Sequence, residues 1–117
     1  MTPLERIQAI LPLRVDSIEI NDPIINLSGI GWSFTAMCPW GLAGPGVDIT
    51  WETEGIDAGV VELAGRSIVS VSASDSDATD PVLCFDGGYV LSVFADTYLD
   101  PWWMYIPGFG IVGQMQR

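Results

Sequence analysis

The stretch PVLCFDGGYVLSVFAD, residues 81–96, carries the strongest local signal for the fold. Two apolar runs, 82–85 and 89–95, flank Asp86-Gly87-Gly88. This order predicts a β-hairpin, because glycine readily adopts the positive φ angles that a tight hairpin turn requires. The second run has a two-residue period, which places every second side chain on the same face of a strand. The chain is therefore expected to contain antiparallel strands joined by short turns.

The two-residue period recurs outside this hairpin. It is clearest in 31–38 and 47–52, where the large apolar residues share one face. Further strands are predicted at 15–20, 24–27, 60–63, 66–73, 102–106 and 109–112. The segment PWGLAGPG, 39–46, is rich in glycine and proline and predicts a loop, and 54–59 predicts a turn or irregular link.

The segment 66–73 allows two strand phases. Either Ile68 is buried, or the set of Val69, Val71 and Ala73 is buried. The alternation of apolar and polar residues in this segment favours neither phase, so both stay open.

One short helix is predicted at the N-terminus, over 2–11. Thr2 suits the cap position, Pro3 suits the first helical position, and Glu5 completes a capping box with Thr2. Pro12 ends the helix, because proline cannot continue the backbone hydrogen bonding.

These elements predict one mainly β domain over 1–117, with the antiparallel strands in 14–113. The links between strands are too short for parallel crossovers, so antiparallel pairing is expected. A curled antiparallel sheet buries its apolar face either as a partly open barrel or as a two-layer sandwich, with the short α-helix against it.

The charge balance narrows the classes of partner. The chain has 15 acidic residues and four arginines, with neither lysine nor histidine, for a formal net charge of −11. Nucleic acids and anionic membrane surfaces attract positive charge, so neither is an expected partner. A basic protein would be attracted and would associate quickly at low salt. The alternative is that the acidity serves solubility alone.

Catalytic and metal-binding motifs are weak in this sequence. Without histidine, a Ser-His or Cys-His pair does not exist. Two alternatives stay open as minor ones: a hydrolase pair and a calcium site. The carboxylates considered for a hydrolase pair are Glu52, Glu54, Asp96 and Asp100, and those for calcium are Asp75, Asp77 and Asp80. No catalytic residue, metal or cofactor is predicted.

The cysteines and the N-terminus predict a compartment. Cys38 and Cys84 are too few for a disulfide scaffold and lie where small buried residues are expected, so free thiols are predicted. The segment 1–14 lacks the pattern of a secretory signal, and the longest apolar run, 101–113, is too short to span a bilayer. A cytoplasmic location is expected.

Trp102 and Trp103 are neighbours in a predicted strand, so their side chains point to opposite faces. One is expected in the core. The other is at least partly exposed and, with Trp40 in the predicted glycine loop, forms a candidate binding patch. The alternative is an aromatic side chain that covers a sheet edge. Asp96 and Asp100 are expected to shape turns.

Four segments, GWSFTAMCPW (31–40), ELAGRSIVSVSA (62–73), PVLCFDGGYVLSVFAD (81–96) and DPWWMYIPGFGIVG (100–113), resemble a family of small uncharacterised bacterial proteins. That family is similar to immunity-like proteins of polymorphic-toxin systems. The resemblance spans 29–113 and rests on structural motifs. It implies an inhibitor and supplies no catalytic residues. Trp40 is followed by Gly41 where the family carries arginine, so a role of that arginine does not transfer.

These observations predict a non-catalytic, acidic protein-binding module, an immunity protein that neutralises a basic bacterial toxin domain. The alternative is a structural or assembly module that forms a homo-oligomer or part of a larger bacterial or phage complex. A ligand-binding barrel or a carboxylate enzyme is a third hypothesis. The residues predicted to bind the partner are Asp75, Asp77, Asp80, Asp96, Asp100, Trp40 and Trp103.

Overall fold

The computed structural model describes residues 2–95, 101–106 and 109–112, the last four by their backbone alone. These residues form eleven strands, two short α-helices and a single 3-10 turn. The strands are β1 (Leu13–Arg14), β2 (Ser17–Asn21), β3 (Ile24–Gly29), β4 (Trp32–Ala36), β5 (Trp40–Gly44), β6 (Val47–Thr50), β7 (Ser67–Ser72), β8 (Val82–Phe85), β9 (Val90–Val93), β10 (Trp102–Ile106) and β11 (Phe109–Val112). The helices are α1 (Pro3–Gln8) and α2 (Asp57–Val60), and the 3-10 turn is Val61–Leu63.

The strands form two antiparallel sheets. One has the order β1-β7-β8-β9-β5-β6 and the other has the order β11-β10-β4-β3-β2. The prediction of a mainly β fold with one short N-terminal helix is confirmed. Of the two shapes left open, the fold is the two-layer one, because the sheets do not close into a barrel.

The core lies between the two sheets. Trp102 and Phe34 are almost fully buried neighbours in the five-stranded sheet, with ring centroids 5.6 Å apart. Leu83 and Leu91 face them from the six-stranded sheet. An aromatic side chain buries about 150–250 Å², so each contributes roughly 4–6 kcal/mol of apolar burial at about 25 cal/mol per Å².

Helix α1 is shorter than the predicted 2–11 and ends at Gln8. The capping box is present, since Thr2 accepts a hydrogen bond from the Glu5 amide and donates its own amide to the Glu5 carboxylate. The helix ends early because a residue before proline avoids the helical conformation, and Leu11 precedes Pro12. The Gln8 side chain donates to the Val71 carbonyl at 2.9 Å, which holds the helix against β7.

The predicted loop at 39–46 is wrong, because most of it is strand β5, placed between β9 and β6. The glycines in this segment predict a loop. At Gly44 the missing side chain instead lets the Tyr89 ring pack against the backbone, and a methyl group there would collide with that ring.

The turn or irregular link predicted at 54–59 is confirmed over 54–56 but not over 57–59, and the predicted strand at 60–63 is wrong. The chain forms α2 and then the 3-10 turn. Ile56, Val60 and Leu63 are fully buried, and their spacing is that of one helical face.

Segment 66–73 follows one predicted strand phase at Ile68 and the other at Val71. The pairing of β7 with β8 shifts register between Ile68 and Ser70, as in a β-bulge. Ile68 and Val71 are therefore both buried, whereas Val69 is exposed. The hairpin at 81–96 forms as predicted up to residue 95, with Gly87 and Gly88 at φ angles of 84° and 88°.

Candidate protein-binding face

The outer side of the five-stranded sheet carries two exposed aromatic side chains from one strand. In β10, Trp102, Met104 and Ile106 are buried, whereas Trp103 is 38% exposed and Tyr105 is 50% exposed. The prediction that the two tryptophans face opposite ways is confirmed, and Trp103 is the outer one. Residues two apart in a strand share a face at a separation of about 7 Å, so Trp103 and Tyr105 stand side by side.

Trp103 pairs with Val112 of β11 on one side, and on its other side it begins a row that crosses β10, β4, β3 and β2. Antiparallel pairing places it opposite Thr35, Thr35 opposite Asn26, and Asn26 opposite Glu19. The Asn26 amide nitrogen donates to the Thr35 hydroxyl at 2.5 Å, which satisfies a hydroxyl that is only 7% exposed. Glu19 at the far end is exposed. This Trp103 row spans about 14 Å, since neighbouring strands lie about 4.8 Å apart.

The neighbouring row contains small side chains beside Tyr105. Tyr105 lies opposite Ser33, Ser33 opposite Ser28, and Ser28 opposite Ser17. On its other side Tyr105 pairs with Gly110, and a glycine adds no side chain. The Tyr105 ring therefore has little beside it in its own row, the serine row.

Met37 extends the apolar part of this surface. Its side chain is 39% exposed, and its amide donates to the Pro101 carbonyl just before β10. Met37 lies two residues after Thr35, which places it diagonally next to Trp103. We call the surface formed by Met37, the Trp103 row and the serine row the aromatic face. Among its members, Glu19 is the one charged residue.

The acidic loop, 74–80, connects β7 to β8 and is bonded to α1 and to the inward-pointing Trp102. The Leu4 amide donates to the Ser76 carbonyl at 3.1 Å, and the Trp102 indole donates to the Thr79 carbonyl at 3.2 Å. The second bond ties the loop to the residue before Trp103. Because the Trp102 indole points into the core and Trp103 points outward, this bond does not place the three carboxylates of the loop on the aromatic face.

The three carboxylates of this loop have different surroundings. Asp75 accepts hydrogen bonds from the Thr79 hydroxyl at 2.7 Å and from the Thr79 amide at 3.0 Å, and these bonds lower the pKa of its carboxyl. Asp80 accepts from the Ala95 amide at 2.7 Å. Asp77 is exposed, and the structure describes no hydrogen bond to its carboxylate. Asp75 and Asp80 therefore shape the loop, whereas Asp77 presents its charge to solvent.

Trp40 does not lie on this surface, so its prediction as an exposed loop aromatic is wrong. It begins strand β5, is 1% exposed, and donates its indole nitrogen to the Pro23 carbonyl at 2.9 Å. Pro23 belongs to the turn between β2 and β3, so Trp40 joins the two sheets. Asp96 and Asp100 lie outside the residues that the structure describes.

Tyr105, Met37 and Glu19 were missed at the sequence level. Tyr105 could be predicted from the sequence, because the alternation in WWMYI places it on the same face as Trp103. Glu19 and Asn26 join the row through strand pairing, for which the sequence carries no local signal.

A second acidic surface lies between the β5–β6 hairpin and α2. Asp48, Glu54 and Glu62 line a groove of about 440 Å³ there. All three residues are exposed, and the Tyr89 hydroxyl donates to Glu62 at 3.4 Å. Acid–base catalysis commonly uses a carboxyl enclosed in a water-poor cleft, whereas these three side chains are open to solvent.

Among the described residues, no three or more cysteine, aspartate or glutamate side chains converge in a way that would hold a metal ion. Of the candidate hydrolase pair, Glu52 and Glu54 are exposed. Cys38 is buried and Cys84 is half-buried, and the two are not joined in a disulfide, as predicted.

In the part of the chain that the structure covers, no helix has the length and apolar character needed to cross a bilayer.

Comparisons with family models, with curated proteins and with solved structures found no match to this chain. Its function must therefore be inferred from its own residues.

Proposed function

We propose that this chain is a non-catalytic, acidic protein-binding module that inhibits one basic protein, as an immunity protein neutralises its toxin. The observation that carries this proposal is the aromatic face on a chain with a formal net charge of −11. Trp103 and Tyr105 supply apolar anchors, and exposed carboxylates such as that of Asp77 supply negative charge on the surface.

The anchors suit a protein partner. Tryptophan, tyrosine and methionine are enriched at protein interfaces, and a few such residues carry most of the binding energy. Trp103 and Tyr105 stand on a strand paired on both sides, so little conformational entropy is lost when a partner covers them.

The charge suits a basic partner. A formal net charge of −11 attracts a cationic protein over long range and speeds its encounter. The resemblance to immunity-like proteins agrees with an inhibitor that acts by covering its target. Two cysteines that form no disulfide fit a reducing compartment, and we place the protein in the cytoplasm.

Affinity capture from the source cells, followed by mass spectrometry, tests the proposal. A basic protein should be retained in low salt and released in high salt. Trp103→Ala should weaken its binding by about 30-fold or more, which corresponds to a loss of roughly 2 kcal/mol. Asp77→Lys should slow association and leave dissociation almost unchanged.

Val69→Ala serves as the matched control, because Val69 is 49% exposed on the other sheet. The proposal fails if the captured protein is not basic, or if Trp103→Ala and Val69→Ala bind it equally well.

An assembly module is the second candidate, favoured by the outer face of the six-stranded sheet. Two rows of paired residues cross five strands of this face. The first row is Ser72, Val82, Ser92, Gly41 and Thr50. The row beside it is Ser70, Cys84, Val90, Ala43 and Asp48. Asp48 is the one charged residue in these rows, so two copies could approach here despite their like net charges. Light scattering of the purified chain tests this candidate, and a monomer at high concentration rules it out.

A further inference from the structure

We propose that the aromatic face receives an arginine side chain of the partner, held over the rings of Trp103 and Tyr105. This inference rests on the proposed function and names the chemistry of its site. The protein partner therefore carries an exposed arginine at the centre of its interface.

The geometry leaves room for a planar cation at the two rings. Trp103 and Tyr105 lie about 7 Å apart on one face of β10. Beside Tyr105 the strand partners are Ser33 and Gly110, so no large side chain from its own row covers the ring. A guanidinium group is planar and weakly hydrated, and it stacks on aromatic rings better than the compact lysine ammonium does.

The charges near the rings select a cation. Glu19 is the one charged member of the aromatic face, and the chain as a whole has a formal net charge of −11. None of the basic residues that the structure describes belongs to the aromatic face. The negative charge of Glu19 and of the chain as a whole favours a cation over an anion at the rings.

The molecule already contains this kind of contact. The Arg66 guanidinium carbon lies 4.8 Å from the centre of the Tyr89 ring, elsewhere on its surface. Tyr89 is buried beneath that guanidinium, and the contact is made within one chain. Tyr105 is half exposed, and among the residues that the structure describes no arginine is placed over its ring, so its face is open to a guanidinium from another molecule.

Glu19 supplies a second contact for the same partner segment. It lies about 14 Å from Trp103 along the row, which is the reach of about four residues of extended chain. A segment with two basic residues four positions apart would place one cation on the rings and the other on Glu19.

A peptide titration followed by NMR tests the inference. The probe is the peptide Gly-Arg-Ser-Gly-Ser-Arg-Gly, and the controls carry citrulline or lysine at both arginine positions. Citrulline has the shape of arginine without its charge. The indole N–H signal of Trp103, assigned by its loss in Trp103→Phe, should shift with the arginine peptide, less with lysine and not with citrulline.

Variants separate a cation–ring contact from simple apolar contact. Trp103→Leu keeps an apolar side chain and removes the ring, and it should lower the affinity for the arginine peptide by about two- to fivefold. Glu19→Gln should weaken binding of this peptide and leave that of a version with one arginine unchanged. Dispersed amide spectra of both variants check that they are folded.

An equal shift with the citrulline peptide, or no shift of Trp103 with the arginine peptide, overturns the inference. The proposed function has its own readout, which is capture of a basic partner that depends on Trp103. If capture succeeds and the peptide result is negative, the arginine assignment alone is wrong.

Discussion

At the scale of single residues, two glycines of β5, Gly41 and Gly44, differ in how closely other atoms approach them. A methyl group at Gly44 would collide with the Tyr89 ring, whereas the nearest atom to one at Gly41 lies 3.8 Å away. Gly44→Ala should lower the free energy of unfolding by about 1–3 kcal/mol, the usual cost of overpacking. Gly41→Ala should change it by less than about 0.5 kcal/mol. Urea denaturation of both variants measures this, and equal midpoints would contradict the packing of Tyr89 on Gly44.

Tryptophans show how far residue-level prediction reaches. The alternation around Trp102 and Trp103 predicted that one would be buried and one exposed, and this is confirmed. Trp40 stands among glycines and a proline, so its surroundings indicated a loop. Its burial depends on β5 lying between β9 and β6, where long-range pairing overrides the local breaker residues.

At the scale of elements, the acidic loop depends on the ionised form of Asp75. Its pKa in the folded protein is lowered from 3.8 by the hydrogen bonds of Thr79. The stabilisation is therefore complete above the ordinary pKa and is lost as the pH falls through the lowered one. Asp75→Ala should be less stable than the parent near pH 7, and the difference should shrink below about pH 3.8.

Asp77→Ala is the matched control for this prediction, since it removes one negative charge from the same loop without a described hydrogen bond. Urea midpoints across the acid range compare the three proteins. A gap between the parent and Asp75→Ala that stays constant down to the lowest pH would show that ionised Asp75 does not hold the loop.

Strands and helices could be predicted from the sequence where the apolar residues follow one period. They could not be predicted where two periods, or two phases of one period, compete. The hairpin at 81–96 has one clear period, and its turn and strands were predicted over the residues that the structure describes. In β7 the bulge between Ile68 and Ser70 changes the phase, so a strict two-residue pattern misses either Ile68 or Val71. In 56–63 the helical spacing of Ile56, Val60 and Leu63 was present, but the segment is too short for periodicity to separate helix from strand.

At the scale of the whole molecule, the candidate face depends on strand order. Sequence patterns give the inward and outward sides of one strand. The Trp103 row also needs β2, β3, β4 and β10 to lie side by side in one register, and β10 is far from the others along the chain. That neighbourhood arises from burial of both sheets against one core, which local patterns do not encode.

Net charge also acts on the whole molecule, and salt should affect stability and binding in opposite directions. The molecule measures 36 × 29 × 22 Å, so at about 0.01 M salt, with a screening length of about 30 Å, its carboxylates repel one another across the fold. At about 0.1 M that length falls to about 10 Å, and the melting temperature should rise by roughly 2–5 °C. Binding of a basic partner should weaken over the same range, because the same screening shields the attraction.

Reversal of the exposed Glu52, Glu54 and Asp77 to lysine, which brings the formal net charge from −11 to −5, should reduce both responses. Thermal unfolding in sodium chloride measures the first effect, and a melting temperature that falls with salt would show that local contacts, rather than mutual repulsion, dominate the electrostatics of this fold.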